Sequence, residues 1–97
     1  MAETSFMYYT GYQSMHFPLI VPFLAEDTPT QQNYDELKAD VTHIKQKAEE
    51  KLAWYGPSPG LGILSTEQIR SLTRAISGLQ ADLVDLAAFA VTKSLTP

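Results

Sequence analysis

The sequence predicts an all-α fold, an antiparallel hairpin of two long helices that follows an extended, aromatic N-terminal arm. Apolar residues recur at intervals of three and four positions through residues 34–55 and 69–90. This spacing keeps one face of a helix on a partner. Two prolines and three glycines within residues 56–62 separate the two runs. Residues 1–27 instead hold six of the ten aromatic residues and two prolines, a composition that disfavours a helix.

The length and charge of the chain narrow the classes of protein to consider. Its 97 residues suffice for one domain. The net charge is −4 and no Lys or Arg precedes Lys38, so we expect neither nucleic acid nor a membrane as a partner. Residues 17–25 are too short for a transmembrane segment and lack the basic start of a signal peptide. We therefore expect a cytoplasmic protein or a component of a virus particle.

The arm, residues 1–27, is predicted to be extended. Residues 6–12 suit a short strand, and residues 16–24 suit an edge strand or a polyproline-like segment, because Pro18 and Pro22 restrict their neighbours as well as themselves. So many aromatic side chains are rare in disordered segments. We expect them to lie along an apolar groove of the same chain or of a neighbour, and they are predicted interaction residues: Phe6, Tyr8, Tyr9, Tyr12, Phe17 and Phe23.

The hairpin, residues 28–97, is predicted to open with a helix over about residues 29–55. Thr28 can cap this helix, with Pro29 at its first position and Gln31 completing a capping box. Asn33 with Glu36 is a competing cap five residues later. The face toward the partner helix is predicted to hold Tyr34, Leu37, Val41, Ile44 and Ala48, continued by Leu52 and Tyr55.

A Gly/Pro linker over residues 56–64 is predicted to lead into a second helix over about residues 65–95. Ser65 and Gln68 have the spacing of a capping box. Gly78 lies off the apolar stripe of this helix. The stripe comprises Ile69, Leu72, Ile76, Leu79, Leu83, Leu86 and Ala90.

The C-terminal half of the second helix is apolar on nearly all sides from residue 83 to residue 91. One partner helix cannot cover such a surface, so either the N-terminal arm or another subunit is expected to lie on it. Val84, Phe89 and Val91 point away from the stripe and are predicted interaction residues. Phe89 is the expected anchor because aromatic side chains carry much of the binding energy at interfaces.

No pattern in the sequence indicates catalysis or a cofactor. Glu36, Asp40 and His43 share one helix face at metal-ligand spacing, but the second helix adds only Asp82 and Asp85 as ligands. We interpret the face as a solvated one and predict no metal site. Two histidines in unrelated surroundings, no cysteine and no Gly-x-Ser-x-Gly elbow predict a protein that is not an enzyme.

The tripeptide Trp54-Tyr55-Gly56 lies at the predicted bend of the hairpin in an acidic, cysteine-free chain of 97 residues. In these features the chain is similar to the WXG100 secreted proteins of type VII secretion systems. The resemblance covers the bend and implies a secreted helical hairpin. The chain departs from that family in its late first helix, its aromatic arm and the absence of a C-terminal Tyr-x-x-x-acid signal. The alternative is that Trp54 and Tyr55 cover the open end of the helix pair.

Two helices without disulfides or metals bury little surface, and small scaffolds of this kind generally need association for stability. We therefore expect a non-enzymatic structural subunit of a larger assembly, for example a virion or phage particle. It would contact identical or different protein subunits through the arm and the C-terminal half of the second helix. The alternatives are a small acidic inhibitor or adaptor that binds a basic protein surface, and the WXG100-like hairpin.

Overall fold

A computed structural model describes residues 17–97 and contains three helices within them. Helix α1 comprises Ile20–Leu24, α2 comprises Gln31–Tyr55 and α3 comprises Thr66–Thr92. The long helices α2 and α3 pack against each other, and α1 packs on α3. The molecule measures 45 × 23 × 20 Å along its principal axes. The predicted all-α helical hairpin is thereby confirmed.

The seam between α2 and α3 contains the core of the hairpin. On α2, five of the seven residues predicted to face the partner are buried, whereas Leu52 is half-buried and Tyr55 is exposed. On α3 the seam is rotated from the predicted stripe: Ile69, Ile76 and Leu83 are only half-buried, whereas Gly78 is buried. Apart from Gly78, the buried residues of α3 recur at intervals of three and four positions. One of them is a carboxylate, Asp82. The residues are Leu72, Ala75, Leu79, Asp82, Leu86 and Ala90.

Local hydrogen bonds set the start of each long helix. Ser65 caps α3 through the predicted capping box, in which its hydroxyl accepts from the Gln68 N–H at 3.1 Å and the Gln68 side chain accepts from the Ser65 N–H at 2.8 Å. Helix α2 is capped by Thr30, whose hydroxyl accepts from the Asn33 N–H at 3.1 Å. The prediction of Thr28 as the cap is therefore wrong, as is the competing one at Asn33.

The choice of Thr30 has a tertiary reason. Thr28 and Thr30 offer the same hydroxyl, but a start at Thr30 directs the Gln31 amide to the C-terminal segment. The Gln31 side chain accepts from the Thr96 N–H at 2.8 Å and donates to the Thr96 carbonyl at 2.9 Å. Lys38 Nζ also donates to the Pro97 carbonyl at 2.6 Å. These contacts join segments 59 to 65 residues apart, so local sequence patterns do not reveal them.

Helix α3 ends three residues before the predicted position. Ser94 adopts a left-handed conformation with φ of 60°, and the Leu95 N–H donates to the Ala90 carbonyl at 2.8 Å. Together with the bond from the Ser94 N–H to the Val91 carbonyl, this is a Schellman motif. The chain therefore turns back at Ser94, and Leu95 packs against the core.

The arm contains a helical turn that the sequence analysis did not predict. The extended conformation proposed for residues 16–24 is wrong at Ile20–Leu24, which form α1. Pro22 occupies the third position of this helix, where the backbone N–H has no partner within a helix, so the missing donor costs nothing there. The predicted strand at residues 6–12 lies outside the described residues.

The turn between α2 and α3 is held by its own backbone. The Leu61 N–H donates to the Trp54 carbonyl at 2.9 Å, and the Ile63 N–H donates to the Tyr55 carbonyl at 3.0 Å. Gly56 ends α2 at a position where a Cβ would overlap the Leu52 carbonyl oxygen. Gly62 has φ of 69°, a conformation that favours glycine. The turn thus occupies the predicted linker and holds its apolar side chains in fixed positions.

Candidate interaction surfaces

Residues 17–24 of the arm dock on the hairpin of the same chain. The Phe17 N–H donates to the Asp82 carboxylate at 2.7 Å, and Asp82 is fully buried. The side chains of Phe17 and Ile20 are also buried in the core. A buried carboxylate that accepts a backbone hydrogen bond forms a charge-assisted contact, stronger than a neutral one. Asp82 therefore fixes where the arm enters the core.

Aromatic side chains cover the end of the hairpin remote from the turn. The Phe23 ring lies 5.2 Å from the Phe89 ring and 6.3 Å from the Tyr34 ring, centroid to centroid. Lys93 Nζ lies 5.8 Å from the centroid of Phe89, on which it makes a cation–π contact. Phe89, the expected anchor for another subunit, is thus covered by the arm of its own chain.

The Tyr34 hydroxyl has no hydrogen-bond partner among the described residues, although the side chain is 1% exposed. Burial raises the pKa of Tyr34, and the neighbouring Asp35 carboxylate adds to the rise. The buried hydroxyl without a partner is a cost to the folded state, because a buried polar group that makes no hydrogen bond loses its hydration.

Replacing Tyr34 with phenylalanine is therefore expected to raise the free energy of unfolding by about 1 kcal/mol at neutral pH. Because the pKa of Tyr34 is raised in the folded chain, the unfolded chain loses this proton first. The stability of the wild-type protein is therefore unaffected by this group below the unfolded tyrosine pKa, about 10, and falls as the pH rises through the folded value. The advantage of the variant should therefore grow at alkaline pH. Urea unfolding at pH 7 and above pH 10 measures both effects. Tyr55→Phe, at an exposed position, is the control and should change neither.

A second apolar face of α3 points away from the core. Its members are exposed and spaced so that they share the outer side of the helix. Val84 is 58% exposed and Val91 is 71% exposed. We call this face the outer stripe: Ala81, Val84, Ala87, Ala88 and Val91. Four of the five follow intervals of three, four and three, the spacing of a helix-packing seam.

The turn presents a further group of exposed apolar side chains, which we call the turn patch: Trp54, Tyr55, Leu61 and Ile63. Trp54 is 60%, Leu61 70% and Ile63 66% exposed. The backbone bonds of the turn bring residues 61–63 beside the last residues of α2. Trp54 and Tyr55 thus share an exposed surface with Leu61 and Ile63 at this end of the helix pair.

A groove of about 340 Å³ runs between α1 and the first half of α2. Leu19, Phe23 and Leu37 contribute apolar walls, and Glu26, Glu36 and Asp40 contribute carboxylates. No Lys or Arg is among the side chains that line it. We call this feature the acidic groove. Its shape and charge suit an apolar group that carries a positive charge.

Comparison of the chain with known protein families, curated proteins and solved structures finds no match. The resemblance at Trp54-Tyr55-Gly56 thus stays a prediction.

The predicted interaction residues fall into three groups. Phe17, Phe23 and Phe89 contact other parts of their own chain, and the first of these is in the core. Val84 and Val91 are exposed on the outer stripe. Four further predicted residues lie outside the described part of the chain: Phe6, Tyr8, Tyr9 and Tyr12. Asp82 was not among the predicted residues, although its position three residues after Leu79 and four before Leu86 places it on the seam.

The polar face of α2 that was considered for metal binding carries separate local contacts. Glu36 accepts from the Gln32 side chain at 3.2 Å, and Asp40 lines the acidic groove. His43 lines a different surface depression with Asp35. Within residues 17–97, no group of three potential metal ligands lies together.

Helix α3 is long and apolar enough to cross a membrane by length and composition, with a mean hydropathy of 1.3 over its most apolar window. The predicted absence of a transmembrane segment concerned residues 17–25 and overlooked this helix. In the hairpin, 33% of that window is buried. Core helices of soluble proteins meet the same criterion of length and composition.

Proposed function

We propose that the protein is a non-enzymatic interaction subunit of a larger protein assembly, in which α3 packs against a helix of a neighbouring subunit. The outer stripe carries this proposal. The inner side of α3 already packs on α2 and on the arm. A helix that is apolar on both sides is normally covered on both. The small side chains Ala81, Ala87 and Ala88 allow a partner helix to approach closely, while Val84 and Val91 supply apolar area.

The internal docking of residues 17–24 supports the same proposal, since this part of the arm does not lie on the outer stripe. Phe23 covers Phe89, so the arm occupies the inner side of the C-terminal half of α3. The outer side, with Val91 at 71% exposure, has no such cover among the described residues. A virion or phage particle is one setting in which such a subunit would serve, with identical or different neighbours.

The double substitution Val84→Glu with Val91→Glu is expected to abolish assembly while the chain stays folded. Both side chains are exposed, so the change in stability should stay within about 0.5 kcal/mol, whereas two carboxylates in an apolar seam would prevent packing. Sedimentation velocity and circular dichroism measure mass and helix content. Thr73→Glu with Ser77→Glu is the matched control, since it adds the same charge to exposed positions of α3 nearer the turn.

Retention of the wild-type mass by the Val84/Val91 double variant would contradict the proposal. A wild-type chain that stays monomeric at the highest soluble concentration would instead favour the second candidate, an acidic inhibitor or adaptor. The specific observation behind that candidate is the acidic groove, whose three carboxylates suit a basic protein surface.

Phe89→Ser is expected to lower the melting temperature, because Phe89 supports Phe23, rather than to act mainly on association.

A further inference from the structure

We propose that copies of this chain associate head to tail, with the turn patch of one copy seated in the acidic groove of the next. This interface is separate from the outer stripe and shares no residue with it. The proposal therefore goes beyond the proposed function, and the two can fail independently.

Opposite charges are segregated to the two ends of the hairpin. The half next to the turn, residues 45–75, has five cationic and three anionic side chains. The remaining described residues, 17–44 and 76–97, have two cationic and seven anionic side chains. Near the turn, Glu49 already pairs with Lys45 at 3.0 Å and Glu67 with Arg70 at 3.2 Å. The turn end is thus net positive and the opposite end strongly negative.

The two surfaces also match in their apolar character. The turn patch is apolar at its tip and is flanked by the positive half of the hairpin, with Lys47 exposed on α2. The acidic groove has apolar walls from Leu19, Phe23 and Leu37 and a rim of carboxylates. Its volume of about 340 Å³ is within the range of roughly 300–1,000 Å³ found for ligand pockets. The apolar tip of the turn patch, in the net positive half of the hairpin, fits this combination.

The position of the two surfaces determines the kind of assembly. The groove lies along α1 and residues 28–40, and the patch lies at the other end of a molecule 45 Å long. A contact between different surfaces of identical copies is heterologous, so it forms a ring if the rotation closes and a filament if it does not. The turn patch comprises only four side chains, whereas a stable interface has about 20–30 residues on each side. The association should therefore be weak, dependent on concentration and sensitive to salt.

Complementation between two defective chains tests the proposal. The first chain carries Trp54→Ser and Ile63→Ser, which leave the groove intact. The second carries Glu36→Lys and Asp40→Lys, which leave the patch intact. All four side chains are exposed, so both chains should keep the wild-type helix content. Each chain also carries Val84→Glu and Val91→Glu, so that the outer stripe does not contribute.

The expected result is that each chain alone is monomeric and that the mixture forms a complex of one copy of each, with nothing larger. Raising the salt concentration from 50 to 500 mM should weaken this complex by about tenfold or more. Two controls match the substitutions in type: Val21→Ser removes an exposed apolar side chain outside both surfaces, and Asp85→Lys reverses an exposed charge away from the groove. Chains with only these changes, on the same Val84→Glu and Val91→Glu background, should still associate into species larger than dimers.

Two results would overturn the proposal. One is the absence of a mixed complex, by sedimentation and cross-linking, while the control chains also stay monomeric. The other is binding of the positive, apolar turn to vesicles of phosphatidylglycerol and phosphatidylcholine, lost with Trp54→Ser, in the absence of head-to-tail association. That outcome would mean that the turn patch binds an anionic lipid surface and not a second copy of the chain.

Discussion

Leu79→Asp is expected to abolish folding, the largest effect of any single substitution considered. Leu79 is fully buried in the seam between α2 and α3. An unpaired carboxylate there either stays charged or takes up a proton, and both cost several kcal/mol in addition to the lost apolar contacts. Small domains have a total stability of only about 5–15 kcal/mol. Circular dichroism of the purified variant should show little helix at any temperature.

Gln80→Asp is the matched control for this substitution. It introduces the same side chain one position along α3, where the residue is exposed. Its effect on the melting temperature should be small, since surface substitutions usually change stability by about 0.5 kcal/mol or less. Similar melting curves for the two variants would show that the helical register of α3 is wrong.

Asp82→Ala is expected to release the arm and to destabilise the protein by about 2–3 kcal/mol. The substitution removes the acceptor for the Phe17 N–H in a buried site, and an unpaired backbone donor cannot stay there without cost. Detachment of the arm would in turn expose Phe17 and Ile20, which are 5% and 2% exposed in the folded chain. Urea unfolding measures the loss of stability.

Amide hydrogen exchange locates that loss. Protection of residues 17–24 should fall more than protection of α2 and α3. Asp85→Ala removes an exposed carboxylate three residues further along the same helix and is expected to be nearly silent. Equal stability and exchange in the two alanine variants would mean that Asp82 does not hold the arm in place.

Signals that act within one helical turn were predictable from the sequence. The seam of α2 from Tyr34 to Ala48 and the capping box of Ser65 and Gln68 depend on residues three or four positions apart. Both features can therefore be recognised from the sequence alone. The same holds for the turn, where Gly56 and Gly62 meet backbone requirements that few other residues meet.

Features that depend on distant partners were not predictable in this way. The hydrogen bond from the Phe17 N–H to the Asp82 carboxylate joins residues 65 positions apart, so nothing in the sequence around Asp82 indicates it. With the cap at Thr30, the first residue of α2, Gln31, pairs with Thr96, which is again 65 residues away. For the candidate surfaces, the sequence identified Val84 and Val91 correctly as side chains off the stripe, but it could not show that Phe23 covers Phe89.

The exposed position of Trp54 determines what spectroscopy of this protein can report. Trp54 is the only tryptophan in the chain, and it lies on the turn with 60% of its surface in water. Its emission should therefore resemble that of indole in solvent both before and after unfolding, so fluorescence would follow thermal denaturation poorly. Insertion of the same ring into an apolar site would shift the emission to shorter wavelengths. Intrinsic fluorescence is thus a label-free probe of docking at the turn, well separated from the folding signal of circular dichroism.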